Sequence, residues 1–206
     1  MYHFEWHRDK RGYEIRSVGG DGNSLLASFS HEYVVGLGGP LDAYRPLEEH
    51  PALWRQFAQE CVTRDGIIPF ANRFGIISEM GGHRRAAVDS TITMAEVLAA
   101  IAKYYDKGDR PVAAEIFNER AHPHLTAKLI QTKKGIFALK PTPLSLSSAM
   151  LIQIAEALSG DYDFRKCLNC PEWMRLGVGS HSSRRLFCSD RCRVAYYRKT
   201  KRGAAA

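Results

Sequence analysis

The stretch that decides the reading of this chain runs from Phe164 to Arg202, FRKCLNCPEWMRLGVGSHSSRRLFCSDRCRVAYYRKTKR, and holds four of its five cysteines. Cys167 and Cys170 are spaced Cys-x2-Cys, and Cys188 and Cys192 are spaced Cys-x3-Cys, with seventeen residues between the pairs. Each short pair can place two sulfurs on one tetrahedral ion, so the spacing predicts a single structural Zn²⁺ held by four thiolates. The same stretch carries eleven Lys or Arg against Glu172 and Asp190, a net charge of +9, whereas the whole chain of 206 residues carries +7. The remainder, with eighteen basic and twenty acidic residues, is slightly acidic at −2. Basicity confined to a cysteine module is the electrostatic footprint of nucleic-acid contact, although a solvated surface that keeps a small domain soluble has the same composition.

Local signals give the module a shape. Cys167-Leu-Asn-Cys170 reads as a metal-binding knuckle, Trp173 to Leu176 as a strand, Gly177 to Ser183 as a loop, and Arg184 to Phe187 as the returning strand. Ser189 is suited to cap a helix from Asp190 to about Lys201, which places Cys192 in its first turn. At 100° per residue, Cys192, Ala195, Tyr196 and Lys199 share an arc facing the metal, and Arg191, Arg198 and Arg202 form an adjacent exposed stripe. The residues expected to touch nucleic acid are Arg175, Arg184, Arg185, Arg191, Arg193, Arg198, Lys199, Lys201 and Arg202, with Tyr197 available to pack on a sugar or base.

Knuckle, hairpin and ligand-bearing helix together resemble the treble-clef zinc fingers, and Phe187-Cys188-Ser189-Asp190-Arg191-Cys192-Arg193 is similar to their closing segment. The module most resembles the bacterial CGNR-type zinc finger, and Tyr44-Arg45-Pro46-Leu47 and Phe70-Ala71-Asn72-Arg73-Phe74-Gly75 look like the amino-terminal part of uncharacterised bacterial proteins of that architecture. Cys188-x3-Cys192 is one residue shorter than the CGNR pair, and Arg193-Val194-Ala195 stands where Gly-Asn-Arg would follow. The resemblance implies a zinc-dependent, DNA-binding transcription regulator whose body senses a ligand or partner. Its competitor is a zinc clip that docks a protein or RNA, with metal sensing as a variant.

Upstream, residues 1–160 read as a mixed, mainly helical body, so the expected class is α+β with a treble-clef-like module at 164–202. Tyr2 to Trp6 and Tyr13 to Val18 alternate like strands, and Gly19 to Asn23 supply a turn with no Gly-Lys-Ser/Thr behind it to bind phosphate. Helical periodicity begins at Pro46 and carries Leu47, Leu53, Trp54, Phe57, Ala58 and Cys61, which makes Cys61 a core residue and not a fifth ligand. A second helix is expected over Asp65 to Phe74, stopped by Gly75. Gly81 to Arg85 reads as a connector, and Thr93-x-x-Glu96 as a capping box before a third helix, with Pro111 starting a fourth. Leu125 to Gln131 and Ile136 to Lys140 form a hairpin, ended by Pro141 and Pro143, and Leu144 to Leu158 is a further helix. Only Asp161, Tyr162 and Asp163 then remain as a linker, too short for the module to swing freely.

Catalytic sets are not evident. His122-Pro123-His124 lacks a third ligand, and His181 lies between the cysteine pairs without the partners of a treble-clef nuclease. A non-enzyme is expected. No apolar run approaches membrane-spanning length and no signal peptide opens the chain, so the cytoplasm is the expected compartment, where thiols ligate metal in preference to pairing. A homodimer would double any DNA contact, although no heptad run supports one.

Overall fold

The computed structural model describes residues 4–18, 31–77, 85–121, 125–131, 136–160, 162–177 and 184–203. The fold is α+β, with seven helices and nine strands among those residues. The expectations placed on Gly19 to Asn23, Gly81 to Arg84, His122, His124, the turn 132–135, Asp161 and His181 lie outside them.

Strand β1 (Trp6–Asp9) pairs antiparallel with β4 (Leu41–Tyr44), and β2 (Tyr13–Val18) joins β3 (His31–Gly36) and β5 (Arg85–Ala87) in a three-stranded sheet. The first strand therefore starts at the end of the stretch expected for it, because its partner β4 ends at Tyr44, opposite Trp6. Asp9 anchors the turns. Its carboxylate accepts hydrogen bonds from the Arg11 N–H at 2.8 Å and the Gly39 N–H at 2.9 Å.

Helical residues begin at Pro46, as expected, but divide into α1 (Pro46–Glu49) and α2 (Leu53–Glu60). The cause is Pro51, whose ring clashes with the carbonyl four residues back and which has no N–H to donate. Helix α3 (Arg64–Phe74) ends where Gly75 adopts φ 84°, a left-handed conformation that suits glycine. Helix α4 (Val88–Asp106) corrects the capping-box reading. It begins five residues before Thr93, directly from β5, because burial of Val88 and a bond from the Thr91 hydroxyl to the Ala87 carbonyl carry the helix back to the sheet.

Helix α5 (Arg110–Arg120) opens on Asp109, whose side chain accepts the Val112 N–H. The hairpin β6 (Leu125–Gln131) and β7 (Phe137–Pro143) runs through Pro141 and Pro143, which were expected to end it. A two-stranded ribbon has only edge strands, and there a missing N–H is tolerated. Helix α6 (Leu146–Leu158) starts at an N-cap on Ser145, which accepts the Ser148 N–H at 3.1 Å, and leaves Leu144 exposed.

The core gathers Val34, Leu53, Trp54, Phe57, Phe70, Leu98, Ile101, Leu146, Met150 and Ile154, drawn from the sheet and four helices. Each such side chain contributes about 1.5–3 kcal/mol on burial. Cys61 is fully buried among them, and burial pushes its thiol well above the ordinary range, as fits a core residue. Among the described residues, no helix is long and apolar enough to cross a membrane.

The last elements carry the cysteines. Strand β8 (Tyr162–Lys166) pairs with β9 (Trp173–Gly177), and α7 (Asp190–Gly203) closes the chain. The partner of β9 is thus the segment read as linker plus approach, and Arg184 to Phe187 is not a strand. The knuckle occupies the tip of this hairpin. Phe164 of β8 packs on the body core, its ring 6.0 Å from that of Trp54.

Candidate metal centre

The β8–β9 hairpin is stitched shut by its own backbone: the Cys167 N–H donates to the Glu172 carbonyl at 2.9 Å, one step beyond the Lys166–Trp173 pair. The intervening residues form the knuckle, which turns Cys167 and Cys170 to one side. The Leu168 N–H reaches the Leu186 carbonyl at 3.1 Å, so the segment before Cys188 lies along the knuckle without becoming a strand. Ser189 then starts α7, its hydroxyl accepting the Cys192 N–H at 3.3 Å. Cap and first turn bring Cys188 and Cys192 together four residues apart.

The four Sγ atoms lie within 4.8 Å of one another. Cys170 and Cys188 are 3.6 Å apart, Cys188 and Cys192 3.4 Å, and Cys192 and Cys170 3.7 Å. A tetrahedral ion with Zn–S bonds of about 2.3 Å has sulfur–sulfur edges of about 3.8 Å, so the donor set is sized for such an ion. The arrangement can bind a metal, and Cys167, Cys170, Cys188 and Cys192 are the only cluster of three or more candidate ligands among the described residues.

Electrostatics within the cluster are uneven. Burial works against ionising Cys167, but N–H donors at Asn169, Cys188 and Cys170 outweigh it and bring the thiol down to about 6. Cys192 is also lowered, by hydrogen bonds from the Cys188 thiol, the Asn169 amide and the Ser189 hydroxyl. Burial raises Cys170 to about 12 and raises Cys188, each with help from neighbouring thiols. The Cys167 sulfur is therefore the one poised to ionise first, and a bound dication would displace the protons that Cys170 and Cys188 hold.

Behind the metal site, the module has a small apolar core of its own. Phe187 is buried against Tyr196, ring centres 5.3 Å apart, and touches Tyr197 at 6.0 Å. Cys192, Ala195 and Tyr196 are partly buried, as the helical arc requires, whereas Lys199 is exposed because α7 outruns this core.

The body side of the module was not legible from the sequence. Arg55 of α2 is buried, and its guanidinium carbon lies 4.5 Å from the Trp173 ring centre, 4.7 Å from Trp54, 5.2 Å from Tyr105 and 5.8 Å from Phe164. Both Asp106 oxygens accept from it, at 2.7 and 3.0 Å. Asp163 accepts the Tyr105 hydroxyl at 3.0 Å, and Met174 and Leu176 are buried. A charged residue on an amphipathic helix ordinarily marks its wet face. The only available cue was the number of aromatic residues around it.

Of the basic residues singled out in the sequence, Arg184, Arg185, Arg191, Arg193, Arg198 and Lys199 are exposed. Arg175 is drawn to the body, 3.4 Å from Glu156 of α6. Arg185 is held by the Phe187 and Cys188 carbonyls, and Arg193 pairs with Asp190 at 3.0 Å. The side chains of Lys201 and Arg202 lie outside the described residues. Arg184, Arg185 and Arg193 line an open cleft of about 510 Å³ with Leu186, Ser189 and Asp190, and Arg193, Val194, Tyr197 and Arg198 line an adjoining groove of about 300 Å³. Neither the family models nor the curated proteins give a match to this sequence.

Proposed function

We propose that the chain is a zinc-dependent DNA-binding protein of the bacterial transcription-regulator kind, with zinc on the four cysteines and the amino-terminal body as a sensing or partner-binding unit. The observation that carries this reading is that α7, whose first turn completes the metal site, presents Arg191, Arg198 and Lys199 to solvent with no acidic partner among the described residues. Exposed guanidinium groups left without carboxylates are available to fork onto phosphate or a guanine edge. The cleft lined by Arg184, Arg185 and Arg193 adds a concave basic surface beside the same helix. Zinc acts here as a fastener: it neutralises the thiolates and fixes the orientation of α7 relative to the hairpin.

Mobility-shift titration of the metal-loaded chain with duplex DNA tests the reading. Binding should weaken with salt at a slope of roughly −5 in log K against log salt if five or six phosphates are neutralised. Arg191→Ala/Arg198→Ala should lower affinity at least about tenfold. No duplex binding at low salt, or an unchanged affinity in the double variant, would sink it.

A second reading, an RNA or protein partner, draws on the apolar content of the same surface. Leu186, Val194 and Tyr197 are exposed beside the arginines. Tyr197 offers a ring on which an unpaired base can stack. Stronger binding to single-stranded RNA than to duplex DNA, lost in Tyr197→Ala, would favour it.

A further inference from the structure

The segment that leads into the third cysteine is held by arginines in place of a strand ladder. Its four successive carbonyls, from Arg185 to Cys188, all accept hydrogen bonds. Arg165 of β8 donates to Arg185 at 3.3 Å, and the Leu168 N–H donates to Leu186 at 3.1 Å. Phe187 accepts from Nε of Arg185 at 2.9 Å, and Cys188 accepts from Nη2 of the same guanidinium. The Cys188 N–H in turn donates to Sγ of Cys167 at 3.4 Å. Arg185 therefore grips the two peptide groups that flank the Cα of a metal ligand. Nε and Nη2 form one edge of the planar fork, so this grip leaves Nη1 and the second Nη2 proton on the other edge. Among the described residues no acceptor occupies that edge.

We infer that Arg185 is a positioning residue that couples the metal centre to a backbone phosphate of duplex DNA, so that metal and duplex each tighten the binding of the other. The side chain lines the cleft of about 510 Å³, where Arg184, Arg185 and Arg193 face a single carboxylate, Asp190, which Arg193 already pairs at 3.0 Å. A planar guanidinium with one edge held and one edge open is matched to a phosphate. An ion on the four cysteines fixes Cys188 and with it the two carbonyls, so the fork is set before the phosphate arrives and less side-chain freedom is lost on binding. A phosphate on the open edge immobilises the same guanidinium and thereby restrains Cys188 for the ion. By linkage the two effects are equal in free energy. The inference rests on the DNA-binding reading above and adds its regulation: metal supply sets duplex affinity through Arg185 as well as through the fold of α7.

Zinc titration of the full chain against a competing chelator, with and without saturating duplex DNA at one ionic strength, tests it. The ratio of the two zinc affinities is the coupling, and mobility shift of the loaded chain reports duplex binding separately. In the wild type the duplex should raise zinc affinity at least about fivefold. Arg185→Gln, and Arg185→Lys, which keeps the charge but lacks the fork, should each reduce that coupling at least about fivefold. Arg184→Gln, which removes a cleft charge without touching the two carbonyls, should weaken duplex binding and leave the coupling within about twofold of the wild type. The four-thiolate absorption of the cobalt-loaded variants and unchanged far-ultraviolet dichroism would show that they are folded. Duplex binding with wild-type coupling in Arg185→Gln or Arg185→Lys, or equal loss in Arg184→Gln, would overturn this inference alone. No duplex binding by the loaded wild type would overturn it together with the reading beneath it. Inorganic phosphate that reproduces the gain in zinc affinity would overturn the assignment to a DNA backbone and give the cleft to a phosphorylated small molecule.

Discussion

The guanidinium of Arg55 lies 4.5 Å from the centre of the Trp173 ring, and through this contact a helix of the body meets the strand that follows the cysteine knuckle. Arg55 is buried among four aromatic rings and paired with Asp106, so it joins two parts of the chain that are more than a hundred residues apart. Cation–π contacts that exclude water contribute up to about 2 kcal/mol each.

Removing either partner should therefore loosen the module from the body. Arg55→Ala is expected to cost about 2–4 kcal/mol and Trp173→Ala about 3–5 kcal/mol. A double-mutant cycle by urea unfolding should give a coupling of about 1–2 kcal/mol. Additive losses would show that the two side chains act independently.

Metal removal should act on the module first. Cys170→Ser is expected to abolish stoichiometric binding of one ion, read by elemental analysis and by the charge-transfer absorption of the cobalt-substituted chain. The pH dependence has a definite sign: protons compete with the ion, so affinity rises with pH. Cys167, lowered to about 6, yields its proton first, and Cys170, raised to about 12, yields last. Near neutrality the ion must displace the protons of Cys170 and Cys188, and its affinity should climb up to about tenfold per pH unit for each proton displaced.

What the sequence made legible, and what it hid, follows from the range of each signal. Cysteine spacing, Pro46, Gly75 and Ser189 act within one turn of backbone, and those features stand where they were expected. Strand pairing depends on distant segments. Arg184 to Phe187 stands where a returning strand would lead into Cys188, yet Tyr162 to Lys166 takes the place beside β9, with Phe164 also packed on Trp54. Thr93 and Glu96 have the letters of a capping box, but burial of Val88 moves the helix start upstream. The role of Arg55 was hidden because no local rule buries an arginine.

His50 provides a second pH-dependent handle. Its ring meets Phe74 edge-on at 4.9 Å and Tyr44 at 6.0 Å, and its carbonyl accepts the Gln153 side-chain amide at 2.7 Å. Burial lowers its pKa below the ordinary 6.5, only partly countered by Glu172 and Glu49. The unfolded chain thus takes up this proton first as pH falls. The contribution of neutral His50 is full above about 6.5 and is lost as pH drops through the folded value. His50→Phe should show a shallower fall in the urea midpoint across that window than the wild type. Parallel profiles would refute the assignment.

Asp9 should show the opposite charge logic at lower pH. It is buried, which by itself raises a carboxyl pKa, yet hydrogen bonds from the Arg11, Gly39 and Gly38 N–H groups outweigh burial and hold it below 3.8. A carboxylate whose folded pKa is depressed stabilises the fold above its unfolded value, and that contribution disappears as pH falls through the folded one. Asp9→Asn keeps the shape but replaces one acceptor oxygen with a donor facing backbone N–H groups. It is expected to cost about 1–3 kcal/mol at neutral pH and to flatten the acid limb of the stability profile below about 4. Gly39→Ala tests the same turn sterically, because an added Cβ would collide with the nearer Asp9 oxygen and sit 2.8 Å from the Arg11 nitrogen. Since both substitutions break one carboxylate–backbone cradle, their costs should combine to less than their sum in thermal unfolding.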